Sequence, residues 1–230
     1  MSIMFKPLAR EDFLAGGSRG VHRSVDTRAA VSHRPEFRQL FYAIEAAREE
    51  DRPAVLQFLA ASAGEGTSTV ARGFAEVAAA EYGGSVLLVD CVGAWPTPLP
   101  GLVEAWRDGR PLAGVITADR ATVGLDRARL SSGENPLLDL GAGEARALFA
   151  ALGERFRTVV LDCAPALACP ETLALARAVD GTVLVVRAEA ARRAAVLEAR
   201  QRIERVGGHC IGAVMNRHRS YLPGWLDRML

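Results

Sequence analysis

The chain has 230 residues, 50% hydrophobic and 24% charged, a composition that excludes a disordered protein and suits one globular domain. Its 28 basic and 27 acidic residues leave a formal net charge of +1, which does not favour a nucleic-acid-binding protein. No apolar run approaches the roughly 20 residues that cross a bilayer, and Met1 to Arg10 lacks the apolar segment of a signal peptide. The sequence therefore predicts a cytoplasmic protein with four widely spaced, reduced and buried cysteines: Cys91, Cys163, Cys169 and Cys210.

The chain opens with a segment that shows no sustained hydrophobic period. Residues 1–34 are rich in Arg, Ser, Gly and Asp, which predicts a flexible leader. From Glu36 onward, apolar residues at helical spacing predict a helix that ends near Pro53. We expect the folded domain to occupy residues 35–220.

Within this domain, hydrophobic runs of strand length alternate with helical segments. Strands are predicted at 55–60, 86–89, 158–161, 182–186 and 211–215, and further helices at about 68–81, 144–156, 171–178 and 190–206. The proline-rich middle, 93–140, indicates one short helix around Trp106. This order predicts an α/β fold: a doubly wound, mostly parallel sheet with helices on both faces, forming a three-layer sandwich.

A glycine-rich segment lies between the first predicted strand and its helix, at the edge where open parallel sheets bind ligands. Residues 61–69 read ASAGEGTST. Glycines let backbone N–H groups surround a phosphate, and the helix N-terminus adds positive potential. Against the pattern G-x-x-x-x-G-K-[ST], Ser68 stands at the magnesium-binding hydroxyl and Thr67 replaces the lysine. The segment predicts a nucleotide-binding loop made of Gly64, Glu65, Gly66, Thr67, Ser68 and Thr69.

Two aspartates follow predicted buried strands at the same edge of the sheet. Asp90 follows the strand at 86–89, and Asp162 follows the strand at 158–161, where phosphoryl-transfer sites place a metal-binding aspartate. Each aspartate alone is also typical of a turn or a helix cap. Together with the loop, they predict a phosphate site in which Ser68, Asp90 and Asp162 are the candidate Mg²⁺ ligands.

With these motifs, residues 36–221 resemble the cytoplasmic domain of bacterial tyrosine kinases (BY-kinases), which belong with the MinD/ParA-like P-loop ATPases. The loop matches the family's G-E-G-K-S-T except at Thr67, and the strands ending at Asp90 and Asp162 match its Walker A′ and Walker B strands. Weaker matches are GLVEAW at 101–106, NP at 135–136, DGTVLVVR at 180–187 and VMNR at 214–217. The resemblance implies a P-loop fold, binding of ATP or ADP with Mg²⁺, and contact of Asn216 with the purine base.

The departures from the family fall on its working residues. Besides Thr67, Val92 replaces a second acidic residue after Asp90, and the subunit-contact element E-x-x-R-x-x-R keeps only its first arginine within residues 35–41. The C-terminal tyrosine cluster that family members phosphorylate is absent, and Tyr221 is the sole tyrosine after Tyr82. These losses predict a degenerate Walker A motif, weakened nucleotide binding and a pseudokinase in which Asp90 and Asp162 are vestigial catalytic candidates.

The resemblance implies a role in the biosynthesis and export of an exopolysaccharide or capsule-type polysaccharide, with a membrane-anchored co-polymerase or export protein as partner. We expect a cytoplasmic protein that reaches the inner membrane through that partner; a homo-oligomer stays open, and no nucleic-acid partner is expected. One alternative is an active tyrosine autokinase or ATPase with a divergent P-loop, in which another cation such as Arg187 replaces the lysine. Another is a ParA/MinD-type positioning ATPase, although those proteins carry an additional lysine where this chain has Ala61 and Ser62.

The last residues, 221–230, are apolar, with Leu222, Trp225, Leu226 and Met229 at helical spacing. They predict a tail that folds back on its own domain or docks on a membrane-embedded partner. In the arginine-rich helix at 190–206, glutamates alternate with the arginines, which predicts a solvated face.

Overall fold

The computed structural model describes residues 2–7, 35–48, 53–92, 100–132 and 140–218. In chain order the elements are β1 (Ser2–Pro7), α1 (Pro35–Ala46), β2 (Ala54–Ala60), α2 (Thr67–Tyr82), β3 (Val86–Asp90), α3 (Leu102–Arg107), a 3-10 helix (Leu112–Val115), β4 (Thr117–Ala118), β5 (Leu125–Arg129), α4 (Ala142–Gly153), β6 (Thr158–Asp162), α5 (Thr172–Leu175), β7 (Gly181–Arg187), α6 (Arg193–Arg205) and β8 (Cys210–His218). The predicted strands and long helices are thereby confirmed, with ends shifted by up to three residues, except that α1 ends at Ala46, well before the predicted end near Pro53. The helix predicted at 171–178 is shorter, because turns replace it after α5.

The strands form one eight-stranded sheet in the order β1-β8-β7-β2-β6-β3-β5-β4. The six central strands pair in parallel, whereas β1 and β4 pair antiparallel at the two edges. After β2 the chain crosses to β3, and it later returns to add β6 between them and β7 on the far side of β2. The mostly parallel, doubly wound sheet is confirmed, and this reversal of direction puts the carboxyl end of β2 at the ligand-binding switch point.

Helices cover both faces of the sheet. One face packs on α1 and α2 through a core that includes Phe37, Phe58 and Phe74. The opposite core joins the sheet to α3, α4, α5 and α6. Side chains alternate between these two cores along each strand, since successive residues of a strand point to opposite faces. The predicted three-layer sandwich is confirmed.

Helix α2 lies close to α1 because a glycine occupies their contact. A Cβ atom at Gly73 would collide with the ring of Phe37, which is fully buried. The alanines of α2 are buried around this point, so the small side chains predicted to form a helix are also what allows close packing. This contact fixes where the N-terminus of α2, and hence the candidate site, lies over the sheet.

The structure corrects the sequence predictions in two segments. The prediction of a flexible leader is wrong for Ser2–Pro7, which form strand β1. This strand pairs with β8, and its Ile3 is buried in the core beneath α1 and α2. Residues 8–34 lie outside the described residues. In the middle segment the short helix is confirmed as α3, but β4 and β5 were not predicted, and β5 pairs directly with β3.

Other predictions are tested in part. Among the four cysteines, all free, Cys91, Cys163 and Cys210 are buried as expected, while Cys169 is half-buried. Over the described stretches, no helix combines the length and apolar character needed to cross a membrane. Asn135, Pro136 and the apolar tail at 221–230 lie outside the described residues.

Candidate functional site

The glycine-rich loop joins the carboxyl end of β2 to the first turn of α2. Gly64 and Gly66 have φ angles of +79° and +93°, a left-handed backbone that glycine adopts without a Cβ penalty. Gly66 is the N-cap residue of α2, and Thr67 is its first helical residue. The loop therefore has glycine at the two positions whose backbone requires it, directly before a 16-residue helix.

Glu65 holds the loop against the end of β7. Its side chain is 5% exposed. Its two carboxylate oxygens accept hydrogen bonds from the backbone N–H groups of Ser62 at 3.0 Å and Arg187 at 3.2 Å. Burial raises the pKa of the Glu65 carboxyl above its usual value, and these two hydrogen bonds act in the opposite direction. Glu65, predicted to belong to the nucleotide-binding loop, thus directs its side chain to the protein's own backbone.

Asn216 on β8 lies directly behind the loop. It is 1% exposed, and its Nδ2 donates a 2.8 Å hydrogen bond to the carbonyl oxygen of Glu65. A Cβ atom at position 66 would collide with this amide, so the close approach requires the glycine. Within the described residues, Oδ1 of Asn216 has no hydrogen-bond partner. The structure therefore brings Asn216 to the predicted loop from the far end of the chain.

The two aspartates lie side by side at the carboxyl ends of β3 and β6. Asp90 and Asp162 are register partners, and strand alternation puts both on the α2 face of the sheet. Burial raises the pKa of Asp162 from 3.8 to about 6; a hydrogen bond from Ser68 opposes this shift, the charge of Asp90 adds to it, and the charge of Arg127 opposes it. Ser68, Asp90 and Asp162 thus lie close together at the carboxyl edge of the sheet.

Asp90 also makes a turn contact. Its Oδ1 accepts a 2.9 Å hydrogen bond from the N–H of Val92, the geometry of an aspartate that stabilises a turn. The side chain of Val92 is exposed and supplies no oxygen. The turn interpretation that the sequence left open for Asp90 is therefore confirmed as one of its roles.

The oxygen atoms at this edge suit a hard cation. Mg²⁺ usually binds one or two protein carboxylates and takes its remaining ligands from water and phosphate. Asp162 Oδ1 is buried without a hydrogen-bond partner in the described part of the chain. No group of three or more His, Cys, Asp or Glu side chains comes together among the described residues. The residues fit a magnesium ion held by Ser68, Asp90 and Asp162 that takes its remaining ligands from water and phosphate.

The structure adds two arginines that the sequence analysis missed. Arg127 and Arg129 lie on β5, in register with Leu88 and Asp90 of β3. The available signal was the spacing of the two arginines, two residues apart in a segment followed by Ser-Ser-Gly. If such a segment is a strand, this spacing places both side chains on one face. Because the apolar residues around them do not alternate, periodicity alone did not predict this strand. Arg187, by contrast, was the predicted replacement cation, and its described contact with the loop is through its backbone N–H.

Comparison with known proteins identifies the fold. No protein-family model matches the sequence, and none of the curated proteins is similar enough to count as a relative. Among solved structures, the kinase domain of Escherichia coli tyrosine kinase ETK matches with a TM-score of 0.69 at 23% identity, covering 82% of this chain and 78% of that one. The chain has the fold of a bacterial tyrosine-kinase domain.

Two further structures support this assignment. The BceF tyrosine kinase domain matches with a TM-score of 0.66 at 24% identity over 78% of this chain and 75% of that one. The septum site-determining protein MinD of Pyrococcus horikoshii, solved with Mg-ADP, matches with a TM-score of 0.55 at 16% identity over 77% and 76% of the two chains. The resemblance to BY-kinases within the MinD/ParA-like P-loop fold is confirmed at the level of architecture.

Proposed function

We propose that the protein is a BY-kinase-like subunit in the biosynthesis and export of an exopolysaccharide or capsule-type polysaccharide, acting as a pseudokinase. The single observation that carries this proposal is Thr67, an uncharged residue at the first position of α2, where the family has the phosphate-binding lysine. The protein would bind a membrane-anchored co-polymerase or export protein from the cytoplasmic side of the inner membrane. A homo-oligomer belongs to the same proposal.

The loss of the lysine supports an inactive site on energetic grounds. A hydrogen bond to a charged group contributes about 1.5–3 kcal/mol, so its loss weakens phosphate binding by roughly 10- to 150-fold. Phosphoryl transfer is affected more, since it depends almost entirely on positioning and charge stabilisation. Val92 adds no carboxylate for a second metal contact, and Asp90 already accepts a backbone hydrogen bond.

The proposal retains weak binding of ATP or ADP with Mg²⁺. The Mg-ADP complex of MinD shows that this fold accommodates such a ligand in that protein. In this chain the nucleotide would contact Gly64, Gly66, Thr67, Ser68, Thr69 and Asn216, with Glu65 supporting the loop from behind. We also propose the division into a leader (1–34, with β1 at its start), a P-loop domain (35–220) and an apolar tail (221–230).

One alternative has a specific observation in its favour. An autokinase or ATPase with a divergent P-loop needs a cation in place of the lysine. Arg127 on β5 is a candidate, because its charge opposes the burial that raises the pKa of Asp162. A MinD-type positioning ATPase shares the fold but has no comparable support from the residues of this loop.

Affinity purification from membranes tests the proposed function. Tagged wild-type protein is expected to recover a membrane-anchored co-polymerase or a polysaccharide-export protein, and the Thr67→Lys variant should recover the same partner because the role is not catalytic. A variant without residues 221–230 shows whether the apolar tail makes the contact. Recovery of neither partner class contradicts the proposal.

A second assay separates the pseudokinase from the active alternative. Purified protein incubated with γ-labelled ATP and Mg²⁺ should gain no label. Label that appears on a tyrosine and disappears in Asp162→Asn would establish an active autokinase instead.

A further inference from the structure

The two arginines of β5 share a sheet face with the aspartates and with α2. Leu125 belongs to the α1/α2 core and Ala128 to the opposite core. Strand alternation therefore puts Arg127 and Arg129 on the α1/α2 side. Arg129 is the register partner of Asp90, which is in turn the register partner of Asp162. Asp162, Asp90 and the two arginines thus lie on one face of three neighbouring strands, β6, β3 and β5.

Arg127 is held in place by a buried acid. Its Nη1 lies 3.7 Å from Oδ2 of Asp119, whose side chain is 4% exposed, and the same oxygen lies 3.6 Å from Nη2 of Arg72 on α2. The side chain of Arg127 remains 41% exposed, and its charge acts on Asp162. The Arg127 guanidinium is therefore anchored by Asp119, and its charge opposes the burial that raises the pKa of Asp162.

The charged guanidinium group of Arg129 is shielded from solvent. Both terminal guanidinium nitrogens, Nη1 and Nη2, are buried. A buried guanidinium interacts with an anion more strongly than an exposed one, because water screens the charge less. Its planar fork also suits the paired oxygens of a phosphate better than an ammonium group does.

The charge balance of the site depends on these arginines. Asp90 and Asp162 alone present two carboxylates to any ligand at the loop, which repel phosphate. Arg127 and Arg129 bring two positive charges to the same face, so the four side chains together are formally neutral. With Thr67 uncharged, β5 is the strand that brings arginines to the face of Asp90 and Asp162.

We propose that Arg127 and Arg129 bind the phosphate groups of a nucleotide at the 61–69 loop, supplying from β5 the positive charge that Thr67 does not. This inference rests on the residual nucleotide site of the proposed function and names the residues that retain it. It places the phosphate-binding cations on the strand beside β3 instead of in the loop itself. The ligand class is a nucleoside di- or triphosphate, recognised through its phosphates.

Isothermal titration calorimetry with ATP and with pyrophosphate tests the proposal on the full chain. We expect Arg127→Gln and Arg129→Gln each to lower the affinity for both probes by about tenfold or more. The loss should be the same with Mg²⁺ and with EDTA, because the arginines contact phosphate directly. Arg127→Lys and Arg129→Lys keep the charge but lose the planar fork, so each should lose affinity by less than the matching glutamine variant.

Arg72→Gln is the matched control. Arg72 shares the Asp119 contact with Arg127 but lies on α2, so its loss should change the affinity by no more than about twofold. Thermal unfolding of every variant checks that the fold is retained, and the lysine variants carry the comparison if a glutamine variant unfolds.

Three results would overturn the inference: no affinity of the wild type for either probe, an equal loss in Arg72→Gln, or a loss confined to the Mg²⁺ arm. These outcomes are independent of the membrane purification. A recovered partner with no nucleotide affinity rejects the arginine site alone, and arginine-dependent binding with no recovered partner rejects the proposed function alone.

Discussion

Thr67 changes the electrostatics of the loop without changing its shape. The residue begins α2 directly after Gly66, whose left-handed backbone is the conformation that a phosphate-binding turn requires. The helix N-terminus contributes a partial positive charge, but a full charge at this residue is missing. The loop therefore has the backbone geometry expected of a phosphate-binding turn but no lysine at position 67.

Thr67→Lys should raise the affinity for ATP. The new ammonium group adds one charge-assisted contact, which corresponds to an increase of roughly 10- to 150-fold. Calorimetry with ATP and ADP, with and without Mg²⁺, measures the gain. Thr67→Gln, a long neutral side chain, is the control, and an unchanged affinity in the lysine variant would mean that the loop does not accept phosphate.

Asp162 should make the stability of the protein depend on pH. Its pKa is raised from 3.8 to about 6 by burial, so between about pH 4 and pH 6 the folded state binds more protons than the unfolded state. The raised pKa therefore costs stability as pH rises through this window, by about 2–3 kcal/mol at neutral pH. Removal of the charge should relieve this cost.

Asp162→Asn is accordingly expected to raise the free energy of unfolding by about 1–3 kcal/mol at pH 7.5, with a gain that shrinks toward zero at pH 4. Urea denaturation at the two pH values measures it. Asp108→Asn removes an exposed carboxylate and controls for net charge. An equal gain in the free energy of unfolding at both pH values would contradict the raised pKa of Asp162.

At the scale of elements, α2 positions the site through its contact with α1. Its N-terminal turn carries Thr67 and Ser68, and further along the helix Gly73 packs against Phe37 of α1. Because the helix is a rigid rod, a shift at Gly73 moves the loop as well. Packing on the α1 side is therefore coupled to the geometry of the phosphate loop.

Gly73→Ala should destabilise the protein even though alanine favours helices. The added methyl group collides with the buried ring of Phe37, and overpacking of this kind costs about 1–3 kcal/mol. Gly143→Ala in α4 is the matched control, since a Cβ there meets no atom within 4 Å and the helix gains up to about 1 kcal/mol. Chemical denaturation measures the free energy of unfolding of the two variants. Stabilisation by both would show that the Phe37 ring moves to make room for the added methyl group.

At the scale of the whole molecule, β1 completes the sheet. Six parallel strands leave β8 as an edge, and β1 covers that edge in antiparallel pairing while Ile3 enters the α1/α2 core. An uncovered edge strand is a template for pairing with other chains. The first residues of the described chain therefore protect the strand that also carries Asn216.

Ile3→Asn should loosen β1 and expose the edge of β8. Placing a polar side chain at this buried position costs about 2 kcal/mol or more, and self-association should increase with concentration. Light scattering after size-exclusion chromatography detects the association, and denaturation measures the stability. Met4→Asn, at a half-buried neighbouring position, should have a smaller effect on both; equal effects would argue against the role of the Ile3 contact.

The sequence by itself determined the α/β layering, the glycine-rich loop, and the positions of Asp90 and Asp162 at strand ends. These features are local: each depends on a hydrophobic run, a glycine spacing or the residue that follows a strand. The P-loop architecture, with Thr67 at the position of the pattern's lysine, was predictable from such short stretches, because parallel strands end at one common edge of the sheet.

Only the tertiary structure decided which side chains meet at that edge. Arg129 lies beside Asp90, and Asn216 lies behind Gly66, through pairings between segments far apart in the chain. Glu65 turns inward because the end of β7 offers it a backbone N–H. Strand β1 was not predicted either, because it forms by pairing with the edge strand β8, which is distant in sequence. The residues around β1 give no local signal of that pairing.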